Sequence, residues 1–175
     1  IKKKNGLFFH EAKQKLQKKK YEVITTQEPT NKNVIGSLLK RILYNNESVP
    51  DEVLALLFAA DRAHHTINTI IPGLEEGSIV ISDRYVYSSL AYQSRGMKKR
   101  LDINWIRVLN QAAIEPDLVI FLDVPPEDAS KDFKMAKKGQ DLSFFENLEV
   151  QTNIRDAYYD IFNFHRVEPE AQNMK

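Results

Sequence analysis

Ser78-Ile79-Val80-Ile81-Ser82-Asp83-Arg84-Tyr85 is the stretch whose reading decides the fold. Ile79, Val80 and Ile81 form an unbroken β-branched run, the pattern expected of a strand covered on both faces. A strand that stops at Asp83-Arg84 delivers a carboxylate and a guanidinium to one end of a sheet. In open, parallel α/β sheets the carboxyl end of the strands is where ligands bind. Two readings of this end are open: a ligand-binding edge, or a salt-bridged strand end without chemistry.

Outward from that strand, the chain alternates. Tyr21-Glu22-Val23-Ile24-Thr25-Thr26 reads as another strand, rich in β-branched and aromatic residues. The polar break Glu28-Pro29-Thr30-Asn31-Lys32-Asn33 follows it. A helix is expected from Val34 to about Leu43, with Ile35, Leu38, Leu39 and Ile42 on one face. The longest helical pattern starts at Asp51 and runs towards Ile71, where Pro72-Gly73 is expected to break it. Past Arg84, Val86 to Gln93 is helix or loop, and Asp102 is placed to cap a helix from Ile103 to about Ala113. Leu118-Val119-Ile120-Phe121-Leu122-Asp123-Val124 reads as a further, fully buried strand. Pro125-Pro126 opens another helix, and a last one covers about Phe145 to Phe162. The N-terminal segment carries a helical pattern from about Glu11 to Lys20. Strands alternating with helices imply an α/β fold, a parallel sheet with helices on both faces.

A length of 175 residues suits one domain, with room for a small mobile subdomain. With no cysteine, neither a disulfide framework nor a thiolate metal site can form, which points to a reducing, cytoplasmic setting. No apolar run approaches membrane-spanning length and no secretory leader is visible, so no membrane partner is expected. The net charge is +1, but lysines crowd the first twenty positions and recur at Lys131, Lys134, Lys137 and Lys138. Such clusters attract phosphates, although most lysine-rich helix faces are simply solvated, and a nucleic-acid partner is not expected.

Several motifs fall in a fixed order. They are Gln27-Glu28-Pro29, Ile35-Gly36 with Lys40, and Leu56-Leu57-Phe58-Ala59-Ala60-Asp61-Arg62. Asp83-Arg84-Tyr85 with Ser88, Tyr92 and Gln93 comes next, then Pro116-Asp117-Leu118 and Leu122-Asp123-Val124-Pro125-Pro126. In this set the chain resembles the thymidylate kinase family of P-loop nucleoside-monophosphate kinases, closely over residues 21–130 and loosely over 140–162. The resemblance implies a three-layer P-loop NTPase-like fold with a helical lid at about 131–146. It also implies transfer of the ATP γ-phosphoryl group to dTMP with Mg²⁺, and a homodimer paired through helices. Arg84 would grip the acceptor phosphate with its planar fork, and Asp83 would stand by the magnesium as a hard ligand. Phe58 would stack on the thymine and Arg62 would bond its edge, while from the residues alone Phe58 could equally be core and Arg62 a surface charge. The resemblance gives Ser88 and Gln93 a share in holding base and phosphate, and puts Glu28 among the acceptor-site residues. Tyr92 would crowd the sugar and disfavour a 2′-hydroxyl, or serve simply as a core aromatic. Lys40 stands where the family usually has an arginine, keeping the charge without the two-pronged geometry. His64 and His65 are adjacent, cannot form an i,i+4 metal pair, and read as surface or pocket-rim residues.

The donor half is where the sequence departs from the family. A glycine-rich loop ending in Gly-Lys-Ser or Gly-Lys-Thr should fall near Lys4 to His10, and Lys4-Asn5-Gly6-Leu7-Phe8-Phe9-His10 stands there instead. The lid segment Asp141-Leu142-Ser143-Phe144-Phe145-Glu146-Asn147 has no arginine, leaving Lys134, Lys137 and Lys138 as the candidate triphosphate contacts. Three explanations compete: the sequence begins inside a longer protein, the chain is a nucleotide-binding homologue that does not turn over, or another device supplies the triphosphate site. On these residues alone the chain as written is expected to be a poor kinase.

Overall fold

The computed structural model describes residues 2–31, 33–45, 47–128 and 147–162. Two β-branched segments pair as parallel strands, β1 (Val23–Gln27) and β2 (Ile79–Asp83). Their register sets Val23 opposite Ile79 and Gln27 opposite Asp83, so both strands end level. Glu28 and Arg84, the next residue of each, therefore leave the sheet at the same edge. The backbone N–H of Glu28 donates to the Asp83 carbonyl at 3.0 Å, extending the ladder by one step.

The helices follow the apolar periodicity. α1 (Lys2–Lys18) precedes β1 and packs against it. α2 (Val34–Tyr44) starts at Asn33, whose side-chain oxygen accepts from the Gly36 N–H at 2.7 Å. Leu39 and Ile42 of α2 face Leu54 and Ala55 of α3 (Asp51–His65) in the main core. After a π-helical turn (Thr66–Ile70), α4 (Ile71–Glu75) continues the same rod towards β2. α5 (Val86–Arg95) and α6 (Ile103–Leu109) complete that core with Leu90 and Ile106. Asp102 caps α6 as expected, accepting from the N–H groups of Asn104 and Trp105, both at 2.9 Å. α7 (Leu148–Phe162) lays Ile154 and Ala157 against Ala91 of α5.

Several sequence expectations change here. Pro72-Gly73 does not end the long helix, which runs on to Glu75. The wider π turn ahead of it accommodates a proline that lacks an N–H and would crowd the preceding turn of a regular α-helix. Gly73 is a packing residue: a Cβ there would lie 2.6 Å from the Ile24 side chain and 3.2 Å from Val80, so its absence lets α4 press onto the sheet. β2 is half-buried along its length, not covered on both faces, because among the described residues it has one neighbouring strand. Leu118–Val124 does not join that sheet. Leu118 is 75% exposed and Ile120 57%, since an apolar run becomes a buried strand only where a ladder partner and a covering layer meet it. α6 stops at Leu109, four residues before the expected end, because Asn110 turns inward to a buried contact. The lid interval 131–146, with Lys134, Lys137 and Lys138, lies outside the described residues.

Candidate active site

At the edge where β1 and β2 end, α3 and α5 bring a set of polar side chains into the interior. Arg62, on α3, is 2% exposed, and burying a guanidinium there is costly unless its donors are met. All five are. Its Nε donates to Glu28 Oε2 at 2.8 Å, and Nη2 reaches the same oxygen at 2.7 Å. Nη1 donates to Ser89 Oγ at 2.8 Å and to Asn110 Oδ1 at 2.5 Å, and Nη2 also donates to the Tyr85 carbonyl at 3.2 Å. The guanidinium carbon lies 5.7 Å from the centroid of the Tyr85 ring. A guanidinium has five N–H donors in a fixed fork, so this constellation saturates it and fixes its plane.

Glu28 is equally committed. Its second oxygen, Oε1, is 2.9 Å from His65 Nδ1, and His65 Nε2 is 2.7 Å from Thr26 Oγ1. His65 is buried, unlike the rim residue expected from the sequence, while its neighbour His64 is exposed. The signal was present: Phe58, Arg62 and His65 stand at i, i+4 and i+7, one stripe of α3. Ser89 and Asn110 also escaped sequence reasoning. Their contact partner is 27 and 48 residues away, and no local pattern announces it.

Asp61 holds the loop after Glu28-Pro29 in place. Its carboxylate accepts from the Thr30 N–H at 2.7 Å, the Thr30 hydroxyl at 2.6 Å and Asn33 Nδ2 at 3.1 Å. Gly36 is needed at this junction, since a Cβ there would sit 2.4 Å from the Thr30 carbonyl and 2.9 Å from Asp61 Oδ1.

Arg84 differs from Arg62 in exposure, in backbone conformation and in having no carboxylate ion pair among the described residues. It is exposed, and its backbone is left-handed, with φ of 69°. For a residue with a Cβ that conformation carries a steric penalty, and such strain tends to collect at functional positions. Its guanidinium lies over the Tyr92 ring, 4.6 Å from the centroid, and Nη2 donates to the Tyr92 hydroxyl at 3.0 Å. Electrostatic attraction to Tyr92, with smaller help from Tyr158 and Asp83, pushes Arg84 above its already high pKa. Among the described residues no carboxylate is in ion-pair contact with it, so its charge faces the edge of the site.

The remaining predicted residues lie on α2, α3, α5 and the end of β2. Ser88 Oγ and the Tyr158 hydroxyl are 2.9 Å apart, joining α5 to α7. Burial pushes the Tyr158 phenol above its usual pKa, and Tyr85 is raised for the same reason. Phe58 is half-buried at the rim of the main core. Gln93 is 2% exposed, with Nε2 donating to Ser89 Oγ at 3.3 Å and Oε1 buried without a hydrogen-bond partner. Lys40 is half-buried on α2. Asp83 closes β2, half-buried, and no group of three or more His, Cys, Asp or Glu side chains able to hold a metal occurs among the described residues. A lone carboxylate is still within the habit of Mg²⁺, which takes one or two carboxylates and completes its shell with water and substrate phosphates. Where the family resemblance implies a glycine-rich phosphate loop, Lys2–Lys18 form α1.

The family model for thymidylate kinase matches residues 8–171 of the chain. A probable thymidylate kinase of Pyrococcus horikoshii is 45% identical over 147 residues, covering 80% of this chain and 68% of that protein. A thymidylate kinase of Leuconostoc citreum is 37% identical over 146 residues, covering 80% of this chain and 67% of the relative. The crystal structure of thymidylate kinase from Ehrlichia chaffeensis superposes with a TM-score of 0.61 at 27% identity, covering 81% of this chain and 65% of that one. The chain thus spans about two thirds of the length of the proteins it matches.

Proposed function

The chain belongs to the thymidylate kinase family of P-loop kinases, and from that premise we propose that it transfers the γ-phosphoryl group of ATP to dTMP, giving dTDP. The observation that carries this reading is the contrast between the two arginines. Arg62 is locked into the protein on all five donors, whereas Arg84 is strained, exposed and free of carboxylate ion pairs among the described residues. A cation held that way at the carboxyl edge of a parallel sheet suits a phosphate dianion.

The acceptor pocket follows from the same residues. Arg84 grips the monophosphate, with Lys40 as a second, less directional charge on α2. Phe58 offers an aromatic face to the base, and Ser88 contributes a hydroxyl on α5. The bare Gln93 Oε1 is a buried acceptor that a base N–H satisfies, since an unmet buried polar atom costs free energy until it finds a partner. The pyrimidine imide of thymine offers such an N–H. Tyr92, fixed by its bond to Arg84, crowds the sugar on the side of the 2′ position and favours deoxyribose. Glu28 and Arg62 shape this pocket by holding each other and the helix ends around it, rather than by spare hydrogen bonds of their own. Asp83 is the residue that would hold Mg²⁺, which would supply charge neutralisation at the transferring phosphate. On the donor side, Lys134, Lys137 and Lys138 would meet the triphosphate.

The same proposal pairs two copies through α3 and its continuation, where Val53, Leu56 and Ile67 are exposed at 42%, 49% and 59%. No helix among the described residues is long and apolar enough to cross a membrane. Sedimentation velocity should show a dimer that Leu56→Arg dissociates, and a monomer at all concentrations overturns the pairing. Turnover is read by coupling ADP formation to NADH oxidation with ATP, Mg²⁺ and dTMP. Activity with dTMP above that with dCMP supports the proposal, and no ADP above a no-enzyme blank removes it.

A further inference from the structure

We propose that His65 is a positioning residue of the acceptor pocket, acting through Glu28 on the plane of the Arg62 guanidinium; this rests on the reading of the pocket given above. A carboxylate can only accept, so the contact from Glu28 Oε1 to His65 Nδ1 places a proton on Nδ1. In the neutral ring Nε2 is then an acceptor, and the Thr26 hydroxyl donates to it. The donors run from Thr26 to His65 to Glu28, whose carboxylate accepts from Arg62 on its other oxygen, and the series joins the end of β1 to α3.

Each link removes one rotation. His65 pins Oε1, which fixes the carboxylate plane and presents Oε2 to both Nε and Nη2 of Arg62. Arg62 then holds Ser89 and Asn110 with Nη1 and the Tyr85 backbone with Nη2. Ser89 in turn accepts from Gln93, the residue with the bare buried acceptor, and Tyr85 is the direct neighbour of Arg84. His65 thus sits two hydrogen bonds from Arg62, three from Tyr85 and four from Gln93. The π turn begins immediately after it, and its first residue, Thr66, lies 3.1 Å from the Tyr85 hydroxyl through Oγ1. Inserted π turns of this kind recur where a helix must aim side chains at a functional site.

The two ring nitrogens can be separated by substitution. In His65→Asn the side-chain amide takes the place of Nδ1, keeping a donor for Glu28 and losing the bond to Thr26. In His65→Gln the amide reaches the Nε2 position, keeping Thr26 and losing the donor to Glu28. Calorimetric titration of the whole chain with dTMP reads the difference. The proposal expects His65→Asn and Thr26→Val to bind within about threefold of the parent, and His65→Gln to lose about tenfold or more. A residue that only ties β1 to α3 gives another order, with Thr26→Val and His65→Asn impaired and His65→Gln spared. That order, or three variants equal to the parent, overturns the proposal. Should His65→Gln fail to fold by thermal melting, a tenfold loss in His65→Asn or Thr26→Val is by itself enough to overturn it, and near-parent binding in both upholds it. If the parent itself does not bind dTMP, the acceptor reading falls and this proposal with it. Parent binding with the wrong order of variants removes this proposal alone.

Discussion

Arg62→Met is expected to destabilise the protein by about 3–5 kcal/mol, because it leaves a buried carboxylate without its cation. In a domain of this size that corresponds to a fall in melting temperature on the order of 10 °C. The magnitude follows from burial. Arg62, Glu28 and His65 are all nearly inaccessible to water, so solvent cannot replace the lost donors. Asn110 and Ser89 lose a partner at the same time. Glu28→Gln should cost less, since a neutral amide still accepts from the guanidinium while leaving that charge less compensated. The double variant Glu28→Gln/Arg62→Met should cost clearly less than the sum of the two single changes. A coupling of about 2 kcal/mol is the expected size for directly bonded buried charges. Guanidinium chloride melts of the four proteins measure it, and additivity within error would mean that the two residues are not one unit. All three variants should also bind dTMP poorly, because the pocket walls are hung from this network.

Arg84→Gly should do the opposite to stability and more to binding. Removing the side chain relieves a left-handed backbone, so the fold should be unchanged or up to about 1 kcal/mol more stable. The phosphate grip is lost at the same time. Charge-assisted hydrogen bonds contribute about 1.5–3 kcal/mol each, so dTMP affinity should fall by about 100-fold or more. Thymidine, which has no phosphate, should bind the variant and the parent alike. Arg84→Lys keeps the charge without the fork and should fall between the two. A variant that loses dTMP and thymidine together would instead mark Arg84 as a scaffold residue that orders Tyr92. The opposed signs of stability and binding are the mark of a residue retained for its ligand at a structural cost.

How far the sequence could be read depended on how local each cause is. Helix positions were legible because apolar spacing acts within a few residues, and α2, the start of α3 and the capped start of α6 stand where the pattern puts them. The Asp83-Arg84 strand end was legible for the same reason. The run from Leu118 to Val124 was not, because an apolar segment becomes a strand only by pairing, and pairing is a property of its neighbours. Pro72-Gly73 reads as a break because its cost is that of a regular α-helix, and the π turn changes that geometry. Arg62 and Glu28 read as pocket residues, but their saturation by each other is not visible in the sequence. Arg62 meets Tyr85, Ser89, Glu28 and Asn110 across separations of 23 to 48 residues. His65 reads as a rim residue when adjacent histidines are compared only with a metal pair, whereas its spacing from Arg62 and Phe58 is the informative one.

The acceptor pocket itself is tested most directly by calorimetric titration of the whole chain with dTMP, with thymidine and dCMP as comparisons. The account predicts saturable binding of dTMP to one site per chain, weaker binding of thymidine for want of the phosphate at Arg84, and weaker binding of dCMP, whose ring nitrogen offers no N–H to Gln93. Absence of dTMP binding, or equal affinity for dTMP and dCMP, would contradict it.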